Sequence, residues 1–172
     1  MHILIIVAAV IAILLLLVLL TGMFLPERHV AARACYLDAS PEEVWAVITN
    51  FEAQPRWRTS LRRVERLPDR QGKEVWREVE GRNRQLSYET VQAQPPHRLV
   101  RRIIDEGLAF GGSWTFEITP EGRGSQLKIT EHGEVRNAVF RFVSKFVIGH
   151  TATMQLYLKN LQRVLEHQRI AA

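Results

Sequence analysis

Cysteine occurs once, lysine four times against nineteen arginines, and no Asp, Glu, Lys or Arg precedes Glu27. A single cysteine excludes an intramolecular disulfide framework, which suits a reducing compartment. Cys35, in an expected first strand, reads as a small packed residue rather than a nucleophile. No His, Cys or Asp cluster has metal-ligand spacing. No glycine loop follows a strand and opens a helix, and no nucleophile elbow is present. The chain is therefore expected to hold neither a metal nor a cofactor. Internal repeats and low-complexity segments are also missing.

What the N-terminus has instead is an apolar run. From Ile3 to Leu20 all 18 residues are apolar. At ~1.5 Å per residue, a helix from Ile3 to Leu25 spans ~34 Å, enough for a ~30 Å hydrocarbon core. A secretory signal would want a basic n-region, a shorter core and a nearby small-residue cleavage site. Only Met1 and His2 precede this core, and Ala32-Arg33-Ala34 lies a dozen residues past Leu20. The expected organisation is a transmembrane anchor over 1–25, a linker over 26–29, one domain over 30–168 and a tail over 169–172. Arg28 and Arg33 follow the span and no Lys or Arg precedes it. The positive-inside rule then puts the C-terminal domain of this single-pass membrane protein in the cytoplasm.

The net charge of +5 raises nucleic acid as a partner. The arginines are scattered, however, with no zinc-ligand spacing, helix-turn-helix or aromatic-basic strand motif, so no nucleic-acid partner is expected. The densest basic cluster is Arg56, Arg58, Arg62, Arg63 and Arg66. It is either a solvated surface or a contact for anionic headgroups, each basic residue adding ~1 kcal/mol near a charged bilayer.

Residues 30–38 alternate as a strand. Ser40-Pro41-Glu42-Glu43 carries a capping box with proline in the first turn, followed by the apolar side Val44, Trp45, Val47 and Ile48. A short helical turn is expected over 50–57. Strands follow at 61–67, 73–80, 84–93, 97–105, 112–119 and 125–134, separated by turn residues. Period two is clearest in Trp114, Phe116 and Ile118, and continues in Leu127 and Ile129. After Asn137 the period becomes helical to about His167, predicting one continuous helix ~45 Å long. An α+β fold follows, with a curved antiparallel sheet around that helix.

This order is the helix-grip order, and the residues reinforce it. SPEEVWAVITNFEAQPRWR (Ser40 to Arg58) resembles the opening of the START-like superfamily, often called SRPBCC, in its polyketide cyclase/dehydrase and lipid-transport branch. GGSWTFEITPEGRGSQLKITEHGEV (Gly111 to Val135) resembles the last two strands of that family, and the Phe140-to-Leu158 helix continues the likeness. The resemblance implies a cavity between concave sheet and long helix. Tyr88, Trp114, Phe116, Ile118, Ile129, Phe146, His150, Met154 and Tyr157 are its candidate walls. A packed core has the same signature, so both readings stand.

Polar residues within the apolar pattern are candidates for chemistry. His150 is either an acid/base group or a hydrogen-bonded core histidine. Glu131 is either a carboxylate of raised pKa or a strand-end group, partly solvated or paired with an arginine. Of Arg101 and Arg102, one must face inward unless the strand is bulged, to meet a ligand anion or to pair with Glu131 or Asp105. Phe140, Val147 and Ile148, interleaved with Arg141 and Lys145, form a candidate interfacial patch.

Three functions compete. The first is membrane-tethered binding or transport of a hydrophobic small molecule, such as a lipid, quinone or polyketide-like compound. The second is an aromatase/cyclase or dehydratase using Glu131 and His150, and the third an interaction module recruited to the membrane without a ligand. The first is favoured, because no complete acid/base constellation is visible.

Overall fold

A computed structural model describes residues 2–149 and 151–171. The chain runs α1 (His2–Phe24), β1 (Arg28–Leu37), α2 (Pro41–Thr49), a 3₁₀ turn (Phe51–Arg56), β2 (Leu61–Arg70), β3 (Lys73–Glu80), β4 (Arg84–Gln94) and β5 (Arg98–Ile103). It continues through β6 (Phe110–Glu121), β7 (Gly124–Val135), α3 (Ala138–Val143), a π-helical turn (Ser144–Ile148) and α4 (Ala152–Ala171). All strands join one antiparallel sheet in the order β1-β7-β6-β5-β4-β3-β2. The first strand thus pairs with the last, and α2 with its turn carries the chain from one edge to the other. The sheet curves around α4, giving the expected α+β helix-grip architecture.

Local chemistry accounts for the boundaries. Ser40 Oγ accepts the Glu43 amide at 3.3 Å while the Glu43 carboxylate accepts the Ser40 amide at 2.7 Å, which closes the capping box that starts α2. Asn50 and Asn137 cap the 3₁₀ turn and α3 through the amides of Ala53 and Phe140. The period-two faces of β6 and β7 send Phe116, Ile118, Leu127 and Ile129 into the core. There they meet Val44 and Ile48 of α2 and Met154, Tyr157, Leu158, Leu161 and Leu165 of α4. Each large aliphatic side chain buried there contributes ~1.5–3 kcal/mol.

The terminal helix is not continuous, contrary to the expectation. The π turn closes with the Gly149 amide donating to Ser144 O at 3.0 Å, and Gly149 takes φ 77°, which ends the helix before α4 begins. Only glycine adopts that conformation without steric cost. The apolar residues after Asn137 therefore serve two surfaces. Those on α4 fill the core, whereas α3 packs against α1. Element ends also move, since β1 begins at Arg28 and α4 continues to Ala171.

α1 is long and apolar enough to cross a membrane, and its apolar side chains are exposed along its length. Its C-terminal end is fastened to the domain. Gly22 is buried against α3, where a Cβ would stand 2.0 Å from Ala138 O. Arg141 Nε donates to Gly22 O at 2.9 Å and Nη1 meets Glu27 Oε1 at 2.8 Å. A cation at a helix C-terminus is favourable both for the dipole and for the unpaired carbonyls. Leu161 is wholly buried in the core, so Leu161→Ala is expected to cost ~2–5 kcal/mol, read as a lower urea midpoint with unchanged slope.

Candidate ligand-binding cavity

Between the sheet and α4 lies a cavity of about 250 Å³. One end is formed by Ile48, Phe51, Leu99 and Phe116, all buried. The other is formed by partly exposed residues: His29, Ile103, Phe110, Gly111, Phe140 and Ser144. Because consecutive strands alternate in direction, the start of β1 and β6 and the end of β5 and β7 share one edge of the barrel-like sheet. That edge is the one α1 joins. The cavity is closed at its far end and open toward the root of α1.

A cluster of charges sits in its wall. Gln54, on the 3₁₀ turn, donates to Ile48 O at 2.9 Å and accepts from Arg58 Nη1 at 2.7 Å, which fixes Arg58. Arg58 Nη1 also lies 2.9 Å from Glu78 Oε2, on β3. From β5, Arg101 Nη1 donates to Glu78 Oε1 at 2.6 Å, reaching across β4. Glu80 stands 3.9 Å from Arg58 and also pairs with Arg84. Aromatic faces enclose the guanidinium groups. Arg58 lies 5.2 Å from the ring centre of Tyr157, and Arg101 lies 4.3 Å and 4.8 Å from those of Phe51 and Tyr88.

Burial alone would raise the Glu78 carboxyl, but Arg58 and Arg101 outweigh it and hold Glu78 below the usual carboxylate range. The hydroxyls of Tyr88 and Tyr157 are pushed up, chiefly by burial, so both stay protonated. On β7, two strands from Arg101 and level with it, Glu131 Oε2 accepts from Trp114 Nε1 at 2.9 Å, and Oε1 lies 3.3 Å from His29 Nε2. Burial pushes the Cys35 thiol up to about 11, a poor setting for a nucleophile. Among the described residues no group of three or more His, Cys, Asp and Glu could hold a metal ion.

Tyr88, Trp114, Phe116, Tyr157 and Glu131 thus meet around one cavity. Ile118, Ile129 and Met154 instead pack within the core, each almost fully buried. Phe146 lies outside the wall, 57% exposed on the π turn, because the break at Gly149 takes it off the α4 stripe. His150 lies outside the described residues, as does the side chain of Ile148. Arg101 is the inward member of its pair, but its partner is Glu78 rather than Glu131 or Asp105. Asp105 accepts the Ser87 amide, and Arg102 faces out to Glu89. Glu131 is held by His29 and Trp114, not by an arginine. Arg58 is buried in the cluster and so cannot reach headgroups, whereas Arg56, Arg62 and Arg63 are exposed. Of the interfacial patch, Val147 is exposed, Phe140 stacks on Phe110, and Arg141 is taken up by α1.

Glu78 was missed by the sequence reading. Val75 and Val79 draw attention to one face of β3, and the opposite face, with Trp76, Glu78 and Glu80, is the one that meets the cavity. Replacing Glu78 leaves two buried guanidinium groups without their shared anion. Glu78→Gln is therefore expected to lower stability by ~3–5 kcal/mol near neutral pH. Because the folded-state pKa is depressed, the stability it confers is present above the ordinary carboxylate range and lost as pH falls through the lower folded value. Urea midpoints of wild type and variant should accordingly converge in acid. A gap independent of pH would contradict this account.

Comparison with known proteins agrees with this geometry. The family model described as polyketide cyclase/dehydrase and lipid transport matches residues 29–166. No match is found among the curated proteins. The di-domain aromatase/cyclase StfQ of the steffimycin biosynthetic pathway superposes with a TM-score of 0.68 at 11% identity. The match covers 83% of this chain and 52% of that one, so this chain spans about half of StfQ. The Zhui aromatase/cyclase of a Streptomyces species gives 0.68 at 13% identity, covering 82% and 95% of the two chains. A START superfamily protein of Mycobacterium smegmatis gives 0.63 at 16%, covering 81% and 99%. Identities this low speak to the fold alone, whereas the family match spans the sheet, the cavity wall and α4. On that match, the chain belongs to the polyketide cyclase/dehydrase and lipid transport family.

Proposed function

We propose that this protein binds or carries a hydrophobic small molecule while α1 holds it at a membrane, with the domain on the cytoplasmic side. The observation that supports this best is a coincidence at one edge of the sheet. The open end of the cavity, the root of α1 and the exposed Phe146 and Val147 all lie there or next to it. A ligand dissolved in a bilayer would meet the cavity without crossing bulk water, and tethering raises the local concentration of one for the other. The largely aromatic and aliphatic wall, broken by a few placed polar groups, is the usual make-up of a small-molecule site.

Retention of α1 is favoured by Arg141. Removing the helix would take away the Gly22 carbonyl that Arg141 bonds and the surface packed on α3. Intact mass measurement of membrane-fraction protein is expected to show residues 1–25 still attached. A mass lacking them would sink the tether.

Ligand carriage has its own test. Full-length protein purified in mild detergent is expected to yield a stoichiometric apolar compound in its organic extract, identified by mass spectrometry. A ligand-free protein that binds no added lipid, quinone or polyketide-like compound would favour the interaction-module reading instead. The enzyme reading draws on one observation, the His29–Glu131 pair facing the cavity. It predicts that His29→Gln and Glu131→Gln abolish turnover of a polyketide-like substrate without abolishing its binding.

A further inference from the structure

Arg101 has more hydrogen-bonding capacity than the protein uses. A guanidinium offers five N–H donors. Nη1 serves Glu78, whereas Nε and Nη2 are buried and find no partner among the described residues. Those two nitrogens form one edge of the planar fork, the edge that receives a carboxylate side-on through two parallel hydrogen bonds. Phe51 and Tyr88 cover the ring-like faces of the group, so hydrogen bonding is left to the edges. Arg101 is 6% exposed and is part of the cavity wall.

The neighbouring carboxylates do not fill that edge. Arg58 and Arg101 share the single carboxylate of Glu78, and Glu80, the next nearest, is divided between Arg58 and Arg84. Arg84 is largely exposed, so the buried part of the cluster is two guanidinium groups with two carboxylates, and the Nε–Nη2 edge of Arg101 is reached by neither carboxylate. Glu131, level with Arg101 two strands away, is engaged by Trp114 and His29. A buried donor edge left unfilled is a poor arrangement for a protein that stores only apolar molecules.

We infer that the ligand is an anionic single-chain amphiphile, whose carboxylate docks on the Nε–Nη2 edge of Arg101 while its chain lies along Trp114, Phe116 and Leu99. This rests on the ligand-binding reading above and narrows it to one chemical class. The volume agrees with a single chain: about 250 Å³ is just below the ~300–1,000 Å³ usual for small-molecule sites and small for a two-chain phospholipid.

The test is calorimetric titration of the full-length protein in nanodiscs, with empty discs subtracted, using decanoate, methyl decanoate and decanol. Decanoate is expected to bind roughly ten- to a hundredfold more tightly than the ester and the alcohol, as charge-assisted bonds to a buried guanidinium require. Arg101→Gln should erase that preference and Arg101→Lys should restore part of it, each variant first checked for native circular dichroism. Equal binding of acid, ester and alcohol to the wild type would overturn the anion site while leaving hydrophobic binding intact. If none of the three binds, both readings fall. The wild-type comparison decides the matter even where a variant does not fold.

Discussion

The ion cluster of Arg58, Glu78 and Arg101 is the constraint around which the rest of the domain is arranged. Charges taken out of water are tolerated only when paired and hydrogen-bonded in good geometry. Every neighbouring element contributes to that geometry. The 3₁₀ turn brings Gln54 to Arg58, β3 brings Glu78, β5 brings Arg101, and Phe51, Tyr88 and Tyr157 close the faces. Apolar packing alone could fill the space between sheet and α4, as it does around Leu127, Leu161 and Met154. It does not do so beside the cluster, where rigid, mutually fixed side chains leave room. The cavity is a consequence of polar groups that hold each other rather than collapse.

A second constraint acts at the other end. Arg141 joins the carbonyl of Gly22 to the carboxylate of Glu27, and Gly22 lets α3 approach α1 at backbone distance. The helix that is long enough to span a membrane is thus fixed in orientation relative to the sheet. Since β1 starts at Arg28, directly after this fastening, the open edge of the cavity has little freedom to turn from whatever surface α1 enters. The contact thus fixes direction as well as proximity between α1 and the cavity mouth.

The sheet, α2 and the inward faces of β6 and β7 could be read from the sequence because each carries a local signal, a capping box or strict alternation. The interruption at Gly149 could not. A π turn adds a residue to the helical repeat without disturbing composition, so the apolar stripe seemed to run on and Phe146 seemed to join it. The charge cluster was hidden for a different reason. Arg58 belongs to a run of arginines that reads as a surface, and Glu78 alternates with valines that read as the core. Their pairing depends on contacts 20 and 23 residues apart in the chain, which period and propensity do not report. Arg101 was legible only as a question of parity between two adjacent arginines, and its partner was not.

The same side chains bear on whether the cavity binds or transforms what enters it. General acid–base catalysis needs groups that change protonation near working pH. Glu78 is held ionised by two arginines, and both buried tyrosines are held protonated. These groups can orient a ligand, and they cannot pass a proton to it. The wall also holds Glu80, Glu134 and the His29–Glu131 pair, the last bonded to Trp114 beside Arg101. By register Glu131, Trp114 and Arg101 stand side by side on β7, β6 and β5, so a group reacting at Glu131 would work beside the fixed charges, with the apolar closed end at Leu99 and Phe116 beyond both. Most of the polar chemistry in this cavity is therefore suited to recognition.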